Sequence, residues 1–420
     1  MTVALVYDPE FAEYRFPASH PMRPERFTLA VELMRGWGLL AEEPAEAGVG
    51  VASPELTPMG VPRAPVWRPE PASQRDLLLF HTSAYVSAVQ AASVNPLHDA
   101  PSMGLGDGDT PPFFGMHEAA ALAVGGTMLA LDAVLADKAS RAFNPAGGLH
   151  HAQRDRASGF CIYNDCAIAI EHATRERDGL RIAYVDIDAH HGDGVEAAFH
   201  ARKDVLTLSV HESGRYLFPG TGGADDIGEG AGVGYTVNVP LPPGADPPCY
   251  ELVFREIIQP AVRHFDPDVI VAQIGADSHV ADPLTHLRQT VAGHVALVGR
   301  IIALAEESCD GRIVLTGGGG YEPFSVVPRI WAGAMAVLMG SDVPSQLPPA
   351  WIAAAQDAAA SYGLILHAPQ STFDEPEGSA ASADVSAAAS DFHSSETALL
   401  LTQQAVNRVR AASPLLGGGR

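Results

Sequence analysis

Short runs of β-branched and aliphatic residues alternate with longer stretches of helical period along most of this chain, and that alternation limits the architectures open to it. The runs are too short for helices and too uniformly apolar for strands with one wet face. They read as strands buried on both sides, which requires a parallel sheet covered by helices on each face. Candidate strands fall at 3–7, 77–80, 141–144, 182–187, 205–210, 269–274 and 313–316. Candidate helices fall near 24–36, 83–92, 116–136, 163–177, 192–201, 247–264, 286–307 and 325–339, with Pro24 suited to a first helical position. Length alone suggests two or three domains, but the unbroken rhythm favours one α/β domain over 1–365.

Two segments leave the rhythm. Residues 41–75, rich in Pro, Ala and Glu, read as an irregular surface excursion. Residues 366–394, largely Ala, Ser, Asp and Glu, read as a flexible acidic linker. The C-terminal segment 395–420 opens with a helical pattern, SETALLLTQQAVNRVRAA, for which Ser394 or Ser395 can serve as N-cap. That helix can dock on the body or on a partner subunit, and the oligomeric state stays open.

Charge and cysteine content exclude several classes. With 26 Lys+Arg against 50 Asp+Glu the net charge is −24, the opposite of a nucleic-acid-binding surface and favourable to cationic partners. Cys161, Cys166, Cys249 and Cys309 form no Cys-x-x-Cys pair, so neither a zinc ribbon nor a disulfide scaffold is expected. The N-terminal MTVALVYDPE lacks a basic region before its apolar run, and the apolar stretch 119–131 stops at Asp132, short of a bilayer span. A soluble cytoplasmic protein with no membrane or nucleic-acid partner is the expectation.

Four segments carry chemistry, each placed after a candidate strand, where an open parallel sheet presents its ligand crevice. In YVDIDAHHGDG, Asp186, Asp188 and His190 alternate by two and so can converge from one side of an extended chain. A carboxylate and imidazole mixture suits Zn²⁺, Fe²⁺ or Mn²⁺ better than Ca²⁺ or Mg²⁺. A calcium loop starting at Asp186 fails at His190 and His191. A solvated Asp/His turn is the plainer alternative, but so many ionisable groups after an apolar strand are costly unless paired or metal-bound. In NPAGGLHHA, His150 and His151 can act as acid and base beside a metal, or can be an ordinary surface pair. In VAQIGADSH, Asp277 can complete a two-carboxylate, one-histidine site with Asp188 and His190, though a turn or cap aspartate is the commoner use. In IVLTGGGGYE no Gly-Lys-Ser/Thr follows the glycines, so a phosphate loop is excluded. Tyr321 can polarise a carbonyl or simply cap the sheet. His211-Glu212 opens like a zincin helix but has Arg215 where a second histidine is needed, and no Gly-x-Ser-x-Gly occurs.

Taken together, GGLHHA, GFCIYNDCAIA, YVDIDAHHGDGVE, HESGRYLFPGTG, GADSHVADPLTHL and GGGGY resemble, in order, the motifs of the zinc-dependent histone deacetylase family, and within it the bacterial acetoin-utilisation branch. The resemblance spans about residues 1–365 and implies a single three-layer α/β/α arginase/deacetylase-like domain with a mainly parallel eight-stranded sheet. It implies Asp188, His190 and Asp277 as zinc ligands, His150 and His151 as the catalytic pair oriented by Asp186 and Asp193, and Tyr321 as the group that binds the substrate carbonyl. It further implies Gly159, Phe160, Phe218 and Leu284 as walls of an acyl-lysine tunnel and Asp109 as a rim carboxylate. Structural K⁺ is implied at Asp186, Asp188, His190, Ser209 and Val210. A second K⁺ position is implied around Phe199, Val205 and Tyr235, where Arg202 departs from the small hydroxyl residue of some members. The implied activity is hydrolysis of acetyl-lysine in a protein or peptide by a water on Zn²⁺, with Fe²⁺ as an alternative ion, giving acetate and free lysine. An acetylpolyamine amidohydrolase and a non-catalytic acetyl-lysine-binding scaffold are the rival readings. A binuclear manganese ureohydrolase would need Asp where Gly192 stands.

Overall fold

The computed structural model describes residues 2–41, 55–98, 100–106, 108–375 and 395–417. Eight strands form one sheet: β1 (Val3–Val6), β2 (Val66–Trp67), β3 (Arg141–Asn144), β4 (Ile182–Asp186), β5 (Val205–Glu212), β6 (Thr236–Leu241), β7 (Val269–Gln273) and β8 (Ile313–Thr316). Their spatial order is β2-β1-β3-β8-β7-β4-β5-β6 and every pairing is parallel. The Val, Ile, Leu and Ala side chains of the central strands are buried on both faces, as the continuous apolar runs require.

The helices are α1 (Glu25–Gly36), α2 (Gln74–Leu77), α3 (Ser83–Val94), α4 (Met116–Leu135), α5 (Asp165–Glu176), α6 (Asp193–Phe199), α7 (Pro247–Val253), α8 (Gln259–Phe265), α9 (Val291–Ser308), α10 (Val326–Leu338), α11 (Pro349–Ser361) and the C-terminal helix Ser395–Ala412. They pack in two groups, α1, α7, α8, α9, α10 and α11 in one and α2 to α6 in the other, which with the sheet make the α/β/α sandwich. The apolar run 119–131 extends within α4 to 20 residues, long and apolar enough to cross a membrane, but most of it is buried inside the fold against β3, α3 and α5.

Several expected elements are corrected. The strand expected at 77–80 is instead the end of α2 and a turn, because Ser73 and Asp76 close a capping box that starts a helix. β2 and its fully buried Trp67 lie inside the stretch read as a surface excursion, whose residues 42–54 are outside the described ones. β6 escapes the sequence pattern because it contains Pro240, which an edge strand tolerates. The helix expected at 247–264 is divided by a π turn, Phe254–Ile258, next to Pro260, which has no N–H to donate and crowds the preceding turn. Helix α11, with Pro349 in its first turn, was not anticipated; its Trp351 Nε1 donates to Leu29 O at 2.8 Å. Of the segment read as a linker, residues 376–394 lie outside the described ones, as does Ser394.

Chain order and sheet order part company at the centre. The chain runs from β3 to β4 while leaving room between them for β7 and β8, which arrive later. The four loops after β3, β4, β7 and β8 therefore meet at one end of four adjacent strands, the crevice such a sheet offers a ligand.

Candidate metal centre and its histidine pair

Asp188 and His190 follow β4 and Asp277 follows β7, and the three are buried with ligand atoms within 4.8 Å of one another. His190 Nδ1 lies 2.8 Å from Asp277 Oδ2 and 3.2 Å from Asp188 Oδ1. Backbone N–H groups and the Gln273 side chain hold the carboxylates in place. Asp188 Oδ1 accepts from His190 N, its Oδ2 from Gly319 N and the Gln273 amide, and Asp277 Oδ1 from Ala189 N. Gly319 has to be glycine, since a Cβ there would stand 2.0 Å from Asp277 Oδ2.

The electrostatics of the cluster fit a cation. Burial and the neighbouring Asp188 push Asp277 up to about 6. Burial works against the charge of Asp188 too, but His150 and His190 outweigh it and hold that carboxyl well below the usual range. Two buried carboxylates and one imidazole are a hard-to-borderline donor set that fits a divalent cation.

His150 and His151 stand beside this cluster on the loop after β3. That loop is pinned from a distance: Asp165 accepts from Gly148 N and Leu149 N, and the Asn164 amide donates to His150 O and Ala152 O. Each imidazole has its own carboxylate, His150 Nδ1 on Asp186 at 2.7 Å and His151 Nδ1 on Asp193 at 2.7 Å. The two Nε2 atoms face each other at 3.0 Å. For His150, burial disfavours charge, yet Asp186 and Asp188 outweigh it and raise the group to about 9. For His151, burial and then the charge of His150 push it down to about 4. The surroundings thus favour charge on His150 and disfavour it on His151, whose ring centroid lies 5.8 Å from that of His190.

Aromatic side chains surround the histidines. Phe218, 45% exposed, packs its ring 5.0 Å from His151, while Phe160 packs 5.6 Å from Tyr321 and 4.4 Å from His20. Phe160 adopts φ +66°, a costly region for an aromatic residue, and Gly159 adopts φ +54° where a Cβ would meet His151 Cδ2 at 2.2 Å. Asp109 Oδ2 accepts from Gly159 N at 2.7 Å, which puts this carboxylate beside the same turn. Tyr321 follows the glycines after β8, and burial, with Asp277 and Asp188 adding, pushes its hydroxyl well above the usual range.

The structure brings together His150, His151, Asp186, Asp188, His190, Asp193, Asp277 and Tyr321, with Gly159, Phe160 and Phe218 around them. Leu284 is tied in through Asp282, whose Oδ1 accepts from Leu284 N and Oδ2 from Tyr321 N. Ser209 lies opposite Asp186 in the β4–β5 register, next to Val210, and its hydroxyl is 2.8 Å from His211 Nδ1. Around the second expected K⁺ position, Phe199 O accepts from Arg202 N and Tyr235 O from Thr207 N, and the Arg202 guanidinium pairs with Glu171 and Asp204.

Sequence reasoning missed three supporting residues. Arg26, fully buried, donates to Gly318 O at 2.7 Å and Gly320 O at 3.3 Å and so fixes the glycine loop that carries Tyr321. Gln273 bridges Asp188 and the histidine loop, and Asp282 holds Tyr321. No local signal marks Arg26, which lies 292 residues from its first acceptor. Gln273 and Asp282 stood inside motifs already singled out, in VAQIG and ADPLTHL.

A histone deacetylase domain model matches residues 20–338. The chain is 40% identical over 349 residues to the acetoin utilization protein AcuC of Bacillus subtilis, covering 83% of this chain and 84% of that one. It is 37% identical over 352 residues to AcuC of Staphylococcus aureus, covering 83% and 85%. Among solved structures it is similar to an HDAC homolog from Aquifex aeolicus, with TM-score 0.76, 26% identity, and coverage of 98% of this chain and 100% of the other. An HDAC homolog complexed with SAHA gives TM-score 0.74 at the same identity and coverage.

Proposed function

Because the chain belongs to the histone deacetylase family, in its acetoin-utilisation branch, and is a deacetylase of that family acting on an acetylated substrate, we propose that it hydrolyses acetyl-lysine in proteins or peptides using a divalent ion, Zn²⁺ or Fe²⁺, held by Asp188, His190 and Asp277. When bound, the ion supplies Lewis acidity, lowering the pKa of a water and polarising the acetyl carbonyl. The chain's own groups divide the rest of the work. His151, neutral and held at Nδ1 by Asp193, takes the water proton at Nε2. His150, kept charged by Asp186, lends positive potential as the oxyanion forms. The Tyr321 hydroxyl, which keeps its proton at neutral pH, donates to that oxygen. His151 then returns its proton to the lysine nitrogen as the C–N bond breaks, leaving acetate and a free amine. Phe160 and Phe218 flank the neutral acyl-lysine stem and exclude water, with Gly159 and Leu284 completing the walls, and Asp109 at the rim accepts from the substrate backbone. Asp186, Asp188, His190, Ser209 and Val210 are the proposed K⁺ ligands, supported by the adjacency of Asp186 and Ser209 across β4 and β5.

The observation that carries this reading is the pair of buried imidazoles, each fixed at Nδ1 by its own carboxylate, set beside a buried Asp-His-Asp cluster. A scaffold that only bound acetyl-lysine would need no such base. The test is acetate release from an acetyl-lysine peptide and from an acetylated polyamine, with metal content measured on the same sample. Release from the peptide is expected, abolished by chelation and restored by Zn²⁺ or Fe²⁺. Turnover of the polyamine alone, or binding without release, defeats the proposal.

A further inference from the structure

Ser158 and Cys161 exchange two main-chain hydrogen bonds, at 3.2 and 2.9 Å, around a turn whose central pair is Gly159 and Phe160. Both central residues sit at positive φ, as in a type I′ turn. Glycine meets that demand freely and phenylalanine does not, so Phe160 stays there only while its surroundings hold it. The placement matters beyond the turn, because the Phe160 ring faces Tyr321 and Gly159 lies against His151.

Tyr14, which precedes α1, supplies a hold from 146 residues away in the chain. Its hydroxyl donates to Phe160 O at 2.9 Å and accepts from Ile162 N at 3.0 Å, so one oxygen grips the main chain on both sides of Cys161. The side chain is buried, and edge contacts with Phe16 and Phe113 fix its ring. On the same segment, His20 packs 4.4 Å from the Phe160 ring. Its Nδ1 accepts from Met22 N, so Nε2 carries the proton and donates to Asp109 O at 3.2 Å. The segment before α1 therefore braces the Phe160 turn and the Asp109 segment together.

We propose that Tyr14 is a positioning residue for the acyl-lysine tunnel: its hydroxyl keeps Phe160 in the strained conformation in which the ring forms the wall. The proposal rests on the deacetylase reading above. Without the hydroxyl the turn relaxes for part of the time and substrate binds only the remaining fraction, which raises KM more than it lowers kcat. The test is steady-state acetate release from an acetyl-lysine peptide by wild type, Y14F, F160A and Y14F/F160A, together with hydrogen exchange at the Ile162 N–H. Y14F keeps the ring and is expected to fold, which circular dichroism checks. In Y14F, KM is expected to rise about 3–10-fold with kcat within about twofold, and adding Y14F to F160A is expected to raise KM by less than about twofold. A variant that was merely less stable would lose kcat through its unfolded fraction at unchanged KM. Exchange at Ile162 is expected to be at least about tenfold faster in Y14F, with the central strands unaffected. Unchanged KM, an equal rise in the F160A background, or unaltered exchange at Ile162 overturns the role of Tyr14. If wild type releases no acetate, the deacetylase reading fails, and exchange at Ile162 alone decides whether Tyr14 holds the turn.

Discussion

Tyr321 reaches the histidines only because its backbone N–H is held at 2.8 Å by Asp282 while Arg26 grips the glycines before it. Two outcomes at the residue scale follow from that arrangement. Y321F removes the proposed donor to the developing oxyanion and is expected to lower kcat by about 10²–10³-fold with metal content unchanged. Equal turnover by the variant would take the hydroxyl out of the chemistry. D282A leaves two main-chain N–H groups without their acceptor and is expected to lower kcat more than it changes KM. D282N keeps an oxygen there and should recover part of the loss, whereas equal rates for the two variants would argue against a positioning role.

At the scale of elements, α5 is tied to the segment before α3 through His81, whose Nε2 accepts from Asn164 N at 3.0 Å, and Asn164 in turn caps α5. Burial pushes His81 down to about 3. Unfolded histidine takes a proton near pH 6.5, so between about 6.5 and 3 the unfolded chain holds the extra proton. The contribution of His81 is therefore intact above about pH 6.5 and is lost as pH falls, by up to about 1.4 kcal/mol per pH unit. H81Q is expected to flatten the pH dependence of unfolding free energy between pH 6 and 4 by one proton's slope. An unchanged slope would mean that His81 is not the group that resists charging.

The whole molecule closes one sheet edge with its C-terminal helix, which packs on β6 and α7. Ala398, Thr402, Val406 and Val409 form its buried stripe, and Ser395 Oγ donates to Asp246 Oδ2. Ending the chain at residue 394 exposes that stripe's counterpart and the outer edge of β6, a template for pairing between molecules. Lower Tm and concentration-dependent association in light scattering are expected, with turnover per folded molecule retained, because His150, His151, Asp188, His190, Asp277 and Tyr321 follow β3, β4, β7 and β8. Loss of activity in a folded, monomeric truncation would show that the helix reaches the site.

The clustering of the Asp and His side chains after β4, the adjacent histidines and most strands were legible because each depends on neighbours: alternation by two puts Asp186, Asp188 and His190 on one side of a chain end, and a run such as Ile182 to Asp186 is buried in any packing that satisfies it. What was not legible depends on distance. Arg26 and Gly318 are brought together by the order of strands in the sheet, which local periodicity does not encode. The edge strands β2 and β6 pair on one side only, so they carry weak apolar patterns and tolerate Pro240. The residue types at the candidate site were set by the sequence alone; the opposite shifts of the two imidazoles came from the assembled crevice, where Asp186 and Asp188 raise His150 against its burial while burial and His150 lower His151.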